Sequence, residues 1–286
     1  MLHDPPVRSL QRARGRVEVA LRRRDGATRL ARLFQQGSAK AFLPRVEAPA
    51  PEVALVNTAG GVTGGDVFDY RLAVEDGAAM TATTQSAERV YRALGSLPAR
   101  IGVEIAVGPG GRIDWLPRET ILFDGGRLQR RLEADLAADA RLTVLETLAL
   151  GRAAMGETVR AGEYRDLWRI RREGRLVHAE AFRLEEGLMG EDLGRAAAGP
   201  AALAGARAMA TLVHAAPDAE LRLAPARAAL AETTAAGSAG VEAAASLKPG
   251  GVLVVRWIAP DLAPLRAALA AFLIAFRGAP PRVWSL

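Results

Sequence analysis

The sequence contains no cysteine and only three histidines, His3, His178 and His214, which lie far apart along the chain. The absence of cysteine excludes disulfide bonds, thiolate metal sites and cysteine nucleophiles. Three dispersed histidines cannot supply a strong nitrogen cage for a metal ion. Oxygen is therefore the only metal-ligand type that the chain offers in quantity.

Long hydrophobic runs are also missing. No segment approaches the 18 or more consecutive apolar residues that a membrane helix needs. The N-terminal sequence MLHDPPVRSLQRARGR lacks the apolar core of a signal peptide. We therefore expect a cytoplasmic protein that makes no membrane contact.

Aromatic residues make up only 5% of the chain, and lysine occurs only at Lys40 and Lys248. The net charge is +6 and the sequence pI is about 10.5, which raises the possibility of nucleic-acid binding. However, arginine supplies nearly all of the positive charge and is mostly scattered among carboxylates, with few aromatic residues on which bases could stack. We predict no nucleic-acid partner.

The usual catalytic and nucleotide-binding motifs are absent. There is no HExxH and no Gly-x-Ser-x-Gly, and the glycine-rich NTAGGVTGGD at 57–66 has the spacing of neither a P-loop nor a Rossmann fingerprint. Asp66 follows Gly65 directly, and its carboxylate would repel a phosphate. A nucleotide-dependent enzyme that uses this loop remains an alternative, which specific binding of GTP or ATP would support.

Most of the first 190 residues alternate between apolar and polar positions, which is typical of half-buried strands. The segments 67–74, 101–107, 142–150 and 176–184 show this period of two. The segment 128–136 fits a strand and a helix equally well. For residues 85–94, the spacing of apolar side chains predicts a short helix.

After about residue 190 the sequence becomes rich in alanine, with helical spacing between Leu203 and Val213. An apolar strand-like run follows near 251–259, and residues 261–278 predict a helix that is capped by Asp261 and ends at Gly278. We therefore predict one domain over 1–286, mainly β (α+β), in which a many-stranded layered or β-helix-like scaffold carries a small helical part. Its β-rich part covers about 15–190, and the alanine-rich helical part, with the terminal strand and helix, covers about 191–286.

Five carboxylates lie within or beside apolar strands. A buried carboxylate must be ion-paired, hydrogen-bonded or bound to a cation. Because arginine is abundant, ordinary ion pairing accounts for most such residues taken singly. The five candidates are Asp66, Glu119, Asp124, Glu146 and Glu157.

Several segments in a fixed order resemble the UreD family of urease accessory proteins, also called UreH. The resemblance is strong from about 15 to 190 and returns from about 250 to the end of the sequence. The segments are RLARLFQQGSAKAFLPR at 29–45, NTAGGVTGGD at 57–66, TTQSAERVYRA at 83–93, WLPRETILFDGGRL at 115–128, EADLAADARLTVLETLALGRAAMGE at 133–157 and PPRVW at 280–284.

The resemblance implies a β-rich, non-enzymatic scaffold. Such proteins join urease apoprotein to the F-type accessory protein and the G-type GTPase, so that nickel reaches the urease active site. It implies no tightly bound cofactor and transient Ni²⁺ at most, while a pure interaction scaffold without metal contact is the alternative.

The family segments supply three of the candidate nickel ligands, Asp66, Glu119 and Glu157. Glu146 and Asp124 are further candidates, because they lie within or beside apolar strands. Oxygen ligands would hold Ni²⁺ weakly enough for the ion to move on. Structural supports of the glycine segment would be Thr58, Gly60, Gly61, Gly64 and Gly65.

Overall fold

The chain alternates between two β-sheets, so that a strand of one sheet is usually followed by a strand of the other. The computed structural model describes residues 11–45, 48, 50–185, 199, 203–235 and 240–285. This alternation stacks successive coils of chain, as in a β-solenoid, and confirms the predicted mainly β, layered fold.

The first sheet has seven strands in the order β14-β13-β11-β8-β5-β1-β2. Its five inner strands are parallel, and the edge strands β2 and β14 are antiparallel to their neighbours. The strands are β1 (Arg14–Arg24), β2 (Ala27–Gly37), β5 (Val67–Val74), β8 (Ala99–Val107), β11 (Gly126–Leu136), β13 (Gly162–Arg172) and β14 (Arg175–Glu185).

The second sheet has the order β16-β17-β15-β12-β9-β6-β4-β3, and β10 links β12 to β7. Strands β4, β6, β9 and β12 are parallel, as the coil arrangement requires. The strands are β3 (Ala39–Phe42), β4 (Glu52–Asn57), β6 (Ala79–Thr84), β7 (Glu88–Val90), β9 (Arg112–Trp115), β10 (Thr120–Leu122), β12 (Arg141–Leu150), β15 (Ala208–Ala215), β16 (Glu242–Lys248) and β17 (Val252–Ala259).

Two hydrophobic cores hold these layers together. The larger core lies between the sheets and is built from alternate residues of each strand, such as Val17, Leu72 and Leu142. The smaller core lies on the other face of the second sheet, where α1 (Leu223–Ala235) and α2 (Leu262–Arg277) cover it. Strands β12, β15 and β17 are therefore buried on both faces.

Helix α2 begins and ends as its sequence predicts. The Asp261 side chain accepts a hydrogen bond from the Leu262 backbone N–H, and the N–H of Gly278 closes the last turn. Its apolar face packs into the smaller core, where the Phe272 ring lies 5.0 Å from the Trp257 ring, centroid to centroid. Neither α1 nor α2 combines the length and the apolar character needed to cross a membrane.

Two predicted elements were wrong. Residues 85–94 form no helix, because Glu88–Val90 is a short strand that pairs with β10. The segment with helical spacing near Leu203–Val213 contributes β15, whose burial on both faces removes the polar alternation of an ordinary strand. The ambiguous segment 128–136 belongs to β11.

The Phe272 side chain provides a test of the smaller core. We expect Phe272→Ala to lower the free energy of unfolding by about 3–5 kcal/mol, because it leaves a cavity at a fully buried site. The matched control is Ile274→Ala on the same helix, where the side chain is 59% exposed and the change should stay within about 0.5 kcal/mol. Denaturant unfolding measures both, and equal effects would show that α2 does not pack as described.

Candidate functional site

The glycine-rich segment 57–66 is a tight connection between β4 and β5. The Asn57 side-chain amide donates to the carbonyl of Gly61 over 3.0 Å, and its carbonyl oxygen accepts from the N–H of Ala59 over 2.9 Å. The Thr58 hydroxyl donates to the carbonyl of Ser38. These bonds hold the turn together and fix it against Ser38, directly before β3.

The glycines serve two different needs at this connection. Gly61 has a φ of 144°, and a Cβ there would lie 2.4 Å from the Tyr91 ring. Gly64 has an ordinary φ, but a Cβ there would lie 2.4 Å from the carbonyl oxygen of Leu97. Gly60 and Gly65 have positive φ values of 77° and 88°. The segment therefore combines sharp turns with close contact to residues 89–98.

Asp66 is buried at the end of this segment, where it accepts two backbone hydrogen bonds. Its Oδ1 accepts from the N–H of Ala13 and its Oδ2 from the N–H of Thr63, both over 2.8 Å. The carboxylate thus joins the start of β1 to the glycine turn. In this arrangement, both oxygens already have partners.

A neighbouring carboxylate that we did not predict, Glu88, lies on the short strand β7. Its Oε1 accepts from the Asn57 amide over 3.0 Å. Burial raises the pKa of Glu88 to about 7, the nearby charge of Asp66 adds to the rise, and the hydrogen bond from Asn57 opposes it. This side chain takes up a proton close to neutral pH.

Glu119 connects the β-rich part to helix α2. Both of its carboxylate oxygens bind the guanidinium of Arg266, and Arg118 Nε lies 3.8 Å from Oε2. Glu119 is buried, while Arg266 is about half exposed. The ion pair between Glu119 and Arg266 is part of the contact between the second sheet and α2, and it accounts for the buried position of the Glu119 carboxylate.

Asp124 and Glu157 lie next to each other: the backbone N–H of Asp124 donates to Glu157 Oε1 over 3.3 Å. Asp124 pairs with Arg92 and Glu157 with Arg152. Burial alone would raise the pKa of Asp124, but hydrogen bonds from the N–H groups of residues 160–161 and from Arg92 lower it. The hydrogen bond from Arg152 lowers the pKa of Glu157.

These two pairs line an open recess of about 670 Å³, beside the rings of Tyr91 and Phe123. The Arg152 guanidinium lies 4.5 Å from the centre of the Phe123 ring. The recess is therefore a mixed surface of arginines, aromatic rings and ionised carboxylates. A surface of this kind suits a polar protein contact.

Glu146 lies between the two sheets in a buried charge cluster. The Arg130 guanidinium binds both Glu146 and Asp166, and the Trp115 indole donates to Glu146 over 2.8 Å. Burial raises the pKa of Glu146 to about 7, against the opposing charge of Arg130, and Asp166 adds to the rise. Two carboxylates share one guanidinium here, so the cluster holds a proton more readily than an exposed carboxylate does.

Within the described residues, no group of three or more histidine, aspartate or glutamate side chains is arranged to hold a metal ion. Asp66, Glu119 and Glu146 lie in separate surroundings, apart from the recess of Asp124 and Glu157. Each of the five has an arginine or backbone N–H partner. This geometry is not a preformed metal centre.

The chain matches the family profile described as "UreD urease accessory protein" over residues 13–285. The chain belongs to the UreD family. It is 50% identical to the urease accessory protein UreD of a Methylobacterium species over 278 residues, which cover 96% of this chain and 95% of that relative. It is 49% identical to the UreD of Cereibacter sphaeroides over 281 residues, which cover 98% of both chains.

Sequence reasoning missed Arg130 and Asp166, which complete the buried cluster of this UreD-family chain. The signal for Arg130 was present, because alternation places it on the same face of β11 as Leu128 and Leu132. Asp166 occupies the corresponding inward position between Tyr164 and Trp168 on β13. Inward charges in both strands predict a buried ion pair once the strands are known to be adjacent.

The glycine segment yields a stability prediction. We expect Gly61→Ala and Gly64→Ala each to destabilise the protein by more than about 1 kcal/mol, because one forces an L-residue to positive φ and both create contacts below 3 Å. The control is Gly95→Ala, where a Cβ meets open space and φ is ordinary. Thermal unfolding would contradict the prediction if all three variants matched the unmodified chain.

Glu88 yields a pH prediction. Its pKa rises on folding from its ordinary value of 4.5 to about 7. The protonated side chain therefore favours the folded state at low pH, and this contribution is lost as the pH rises from about 4.5 to 7. Glu88→Gln should remove this dependence and make the protein about 1–3 kcal/mol more stable than the unmodified chain at pH 8. Urea unfolding at several pH values measures the difference.

Glu104→Gln is the control for this measurement, because Glu104 is exposed and pairs with Arg71. Its stability should follow that of the unmodified chain across the same pH range. If the free energy of unfolding of Glu88→Gln depended on pH in the same way as that of the unmodified chain, Glu88 would not titrate in this pH range.

Proposed function

We propose that this chain is a non-enzymatic scaffold of urease maturation that acts in the cytoplasm. It joins urease apoprotein to the F-type accessory protein and the G-type GTPase and assists the insertion of nickel. The observation that carries the proposal is the family match over residues 13–285, which includes both sheets and both helices. The relatives at about 50% identity are urease accessory proteins by name.

The edge of the first sheet supports a function that depends on binding other proteins. Within the described part of the chain, strand β2 pairs only with β1, and it is exposed along most of its length. Leu30, Leu33 and Phe34 are exposed on it. Phe42 at the end of β3, the edge strand of the second sheet, is 60% exposed. An unpaired strand edge with apolar side chains is a suitable docking surface.

Nickel transfer would use the carboxylates as weak, transient ligands. Asp66, Glu119, Glu146, Asp124 and Glu157 remain our candidates for this passage, with no tightly bound cofactor. Because each already has a partner, Ni²⁺ would have to displace an arginine or a backbone N–H. Binding under this competition would be weak, which suits an ion that must be released to urease.

The same observation favours the alternative, a pure interaction scaffold that never contacts the metal. On that view, the carboxylates only hold the fold together: Glu119 fastens α2, and Asp66 fastens the start of β1. The two functions predict different results when a carboxylate is neutralised in a protein that still assembles. Nickel loading of urease falls if the carboxylates guide the metal, and it is unchanged if they only hold the fold together.

Glu119→Gln and Glu157→Gln separate the two functions. If the carboxylates guide nickel, each change should modestly lower the nickel content and activity of the matured urease, and the double variant should lower both several-fold. We expect the nickel loss, because an amide is a poorer ligand for a divalent cation than a carboxylate. The measurements are metal analysis and urease activity after co-expression with urease and the accessory proteins.

Co-purification of the complex must be measured in parallel. Glu104→Gln, which neutralises an exposed carboxylate elsewhere, is the control. Normal assembly with fully nickel-loaded urease in the double variant would establish the scaffold alternative. Failed assembly would instead assign Glu119 and Glu157 to structural ion pairs.

A further inference from the structure

The chain itself covers the outer side of the second sheet. Helices α1 and α2 pack on it, and Arg277 at the end of α2 binds Asp114 on β9 over 2.9 Å. The segment after α2 continues this cover, since the backbone N–H of Arg282 donates to Glu52 on β4. This face is therefore already occupied.

The edge strand β2 of the first sheet is, in contrast, open to solvent on both of its faces. Every residue from 29 to 37 is exposed, and among the described residues β2 pairs only with β1. The opposite edge strand of the same sheet, β14, has buried positions at His178 and Leu184. Of the two edges, β2 is the one without cover.

Strand β2 is nevertheless held in position at both of its ends. The Gln35 side chain accepts a hydrogen bond from the backbone N–H of Ala41 over 2.8 Å, which ties β2 to β3. The Thr28 hydroxyl accepts a hydrogen bond from the backbone N–H of Ala79 on β6 over 3.3 Å. Since β2 also has about twice the common strand length, it presents a long, preformed edge for backbone pairing.

The inner side of β2 continues the large core beyond its last covered strand. The register places Leu33 beside Val19 and Leu30 beside Leu21. Val19 and Leu21 are buried, whereas Leu33 and Leu30 are 39% and 44% exposed. A further strand along β2 would cover these two leucines, and the burial of apolar surface is favourable.

Positive charge dominates β2 and the part of β1 beside it. β2 contains Arg29 and Arg32 and no carboxylate, and Glu18 on β1 binds Arg32 over 2.8 Å. The register places Arg29 directly opposite Arg22, and like charges in such a position repel each other. In the described part of the chain, no carboxylate forms a salt bridge with either of these two arginines.

These charges decide which kind of strand can add to β2. If a second copy of this chain paired through the same edge, arginines would meet arginines, so the charges disfavour self-association. A strand with acidic residues would instead relieve the repulsion between Arg22 and Arg29. A protein strand also pairs with the backbone groups of the edge, which a lipid headgroup or a nucleic acid does not.

We propose that β2 binds an extended acidic segment of a protein partner, which adds to the first sheet as a further strand. Its apolar side chains cover Leu30 and Leu33, and carboxylates on its other face bind Arg22 and Arg29. The segment therefore alternates between apolar and acidic residues. The proposal rests on the proposed function for the partners to be tested, which are urease apoprotein, the F-type accessory protein and the G-type GTPase.

Hydrogen exchange of the full chain, alone and in complex with each of the three proteins, tests the added strand. We expect the backbone amides of β2 (Ala27–Gly37) to exchange about tenfold more slowly in one of the complexes, because pairing protects the edge. The other edge strand, β14 (Arg175–Glu185), is the internal control. Unchanged exchange of β2 in every complex would overturn the proposal.

Charge reversal tests the acidic character of the segment. The double variant Arg22→Glu with Arg29→Glu should weaken the same complex by about tenfold or more, as measured by biolayer interferometry. The matched control is Arg175→Glu, which reverses an exposed charge on β14 and should leave the affinity unchanged. Equal affinities of the double variant and the unmodified chain would contradict the proposal.

The two leucines are tested in the same way. Leu33→Thr should weaken the complex, because it removes apolar surface and keeps a residue that favours strands. Leu176→Thr is the control, since Leu176 is 54% exposed on β14. Circular dichroism and thermal unfolding check that each variant is folded.

The conservative variant Arg29→Lys identifies the bound segment. It keeps the positive charge, and a carbodiimide joins the new amine to a carboxylate that contacts it. Mass spectrometry of the crosslinked peptide should show an acidic segment of one partner with alternating apolar residues. A crosslink only to a second copy of this chain would overturn the proposal.

These outcomes differ from a failure of the proposed function. If the complexes form and urease matures without protection or crosslinking at β2, the scaffold function stands and this proposal is wrong. If the unmodified chain bound none of the three proteins, the proposed function itself would be contradicted. Binding to phosphatidylserine vesicles that is lost in Arg22→Glu with Arg29→Glu, while the protein complexes are unchanged, would assign these arginines to a membrane surface instead.

Discussion

The fold depends on the packing of alternate side chains between two sheets, to which the chain contributes strands in turn. Each coil contributes a strand to the first sheet and then one to the second, so inward residues from both sheets meet in one continuous core. Parallel pairing follows from this alternation, because each coil repeats the direction of the coil before it. The helices do not define this architecture and cover only one face of the second sheet.

This constraint explains which strands could be predicted. Strands β5 and β8 have one face in the core and one in solvent, so their period of two is clear. Strand β15 is buried on both faces and rich in alanine, so its pattern resembled that of a helix. The short strand β7 is formed by pairing with β10, a contact between distant residues that local spacing does not contain.

The same distinction applies to the candidate site. The sequence identified the glycine segment and Asp66 at its end, because turn chemistry is a local property, but it did not identify the neighbouring Glu88. It could not show that Glu52, Thr81, Asp114, Thr143 and His214 lie side by side on the second sheet, because those residues are aligned only by the register of five strands. Arg130 was an intermediate case. The alternation in β11 indicated that its side chain points inward, but the sequence did not indicate its partners on β12 and β13.

The pairing of Arg277 with Asp114 has a consequence for biosynthesis. The two residues are 163 positions apart, so the ribosome makes Asp114 long before its counter-charge exists. Until α2 emerges, the helix-facing side of the second sheet carries unneutralised carboxylates and an uncovered apolar surface. Strands of the first sheet can assemble during translation, but the outer face of the second sheet must wait for α2, and in this interval the nascent chain is most exposed to aggregation or to capture by a chaperone.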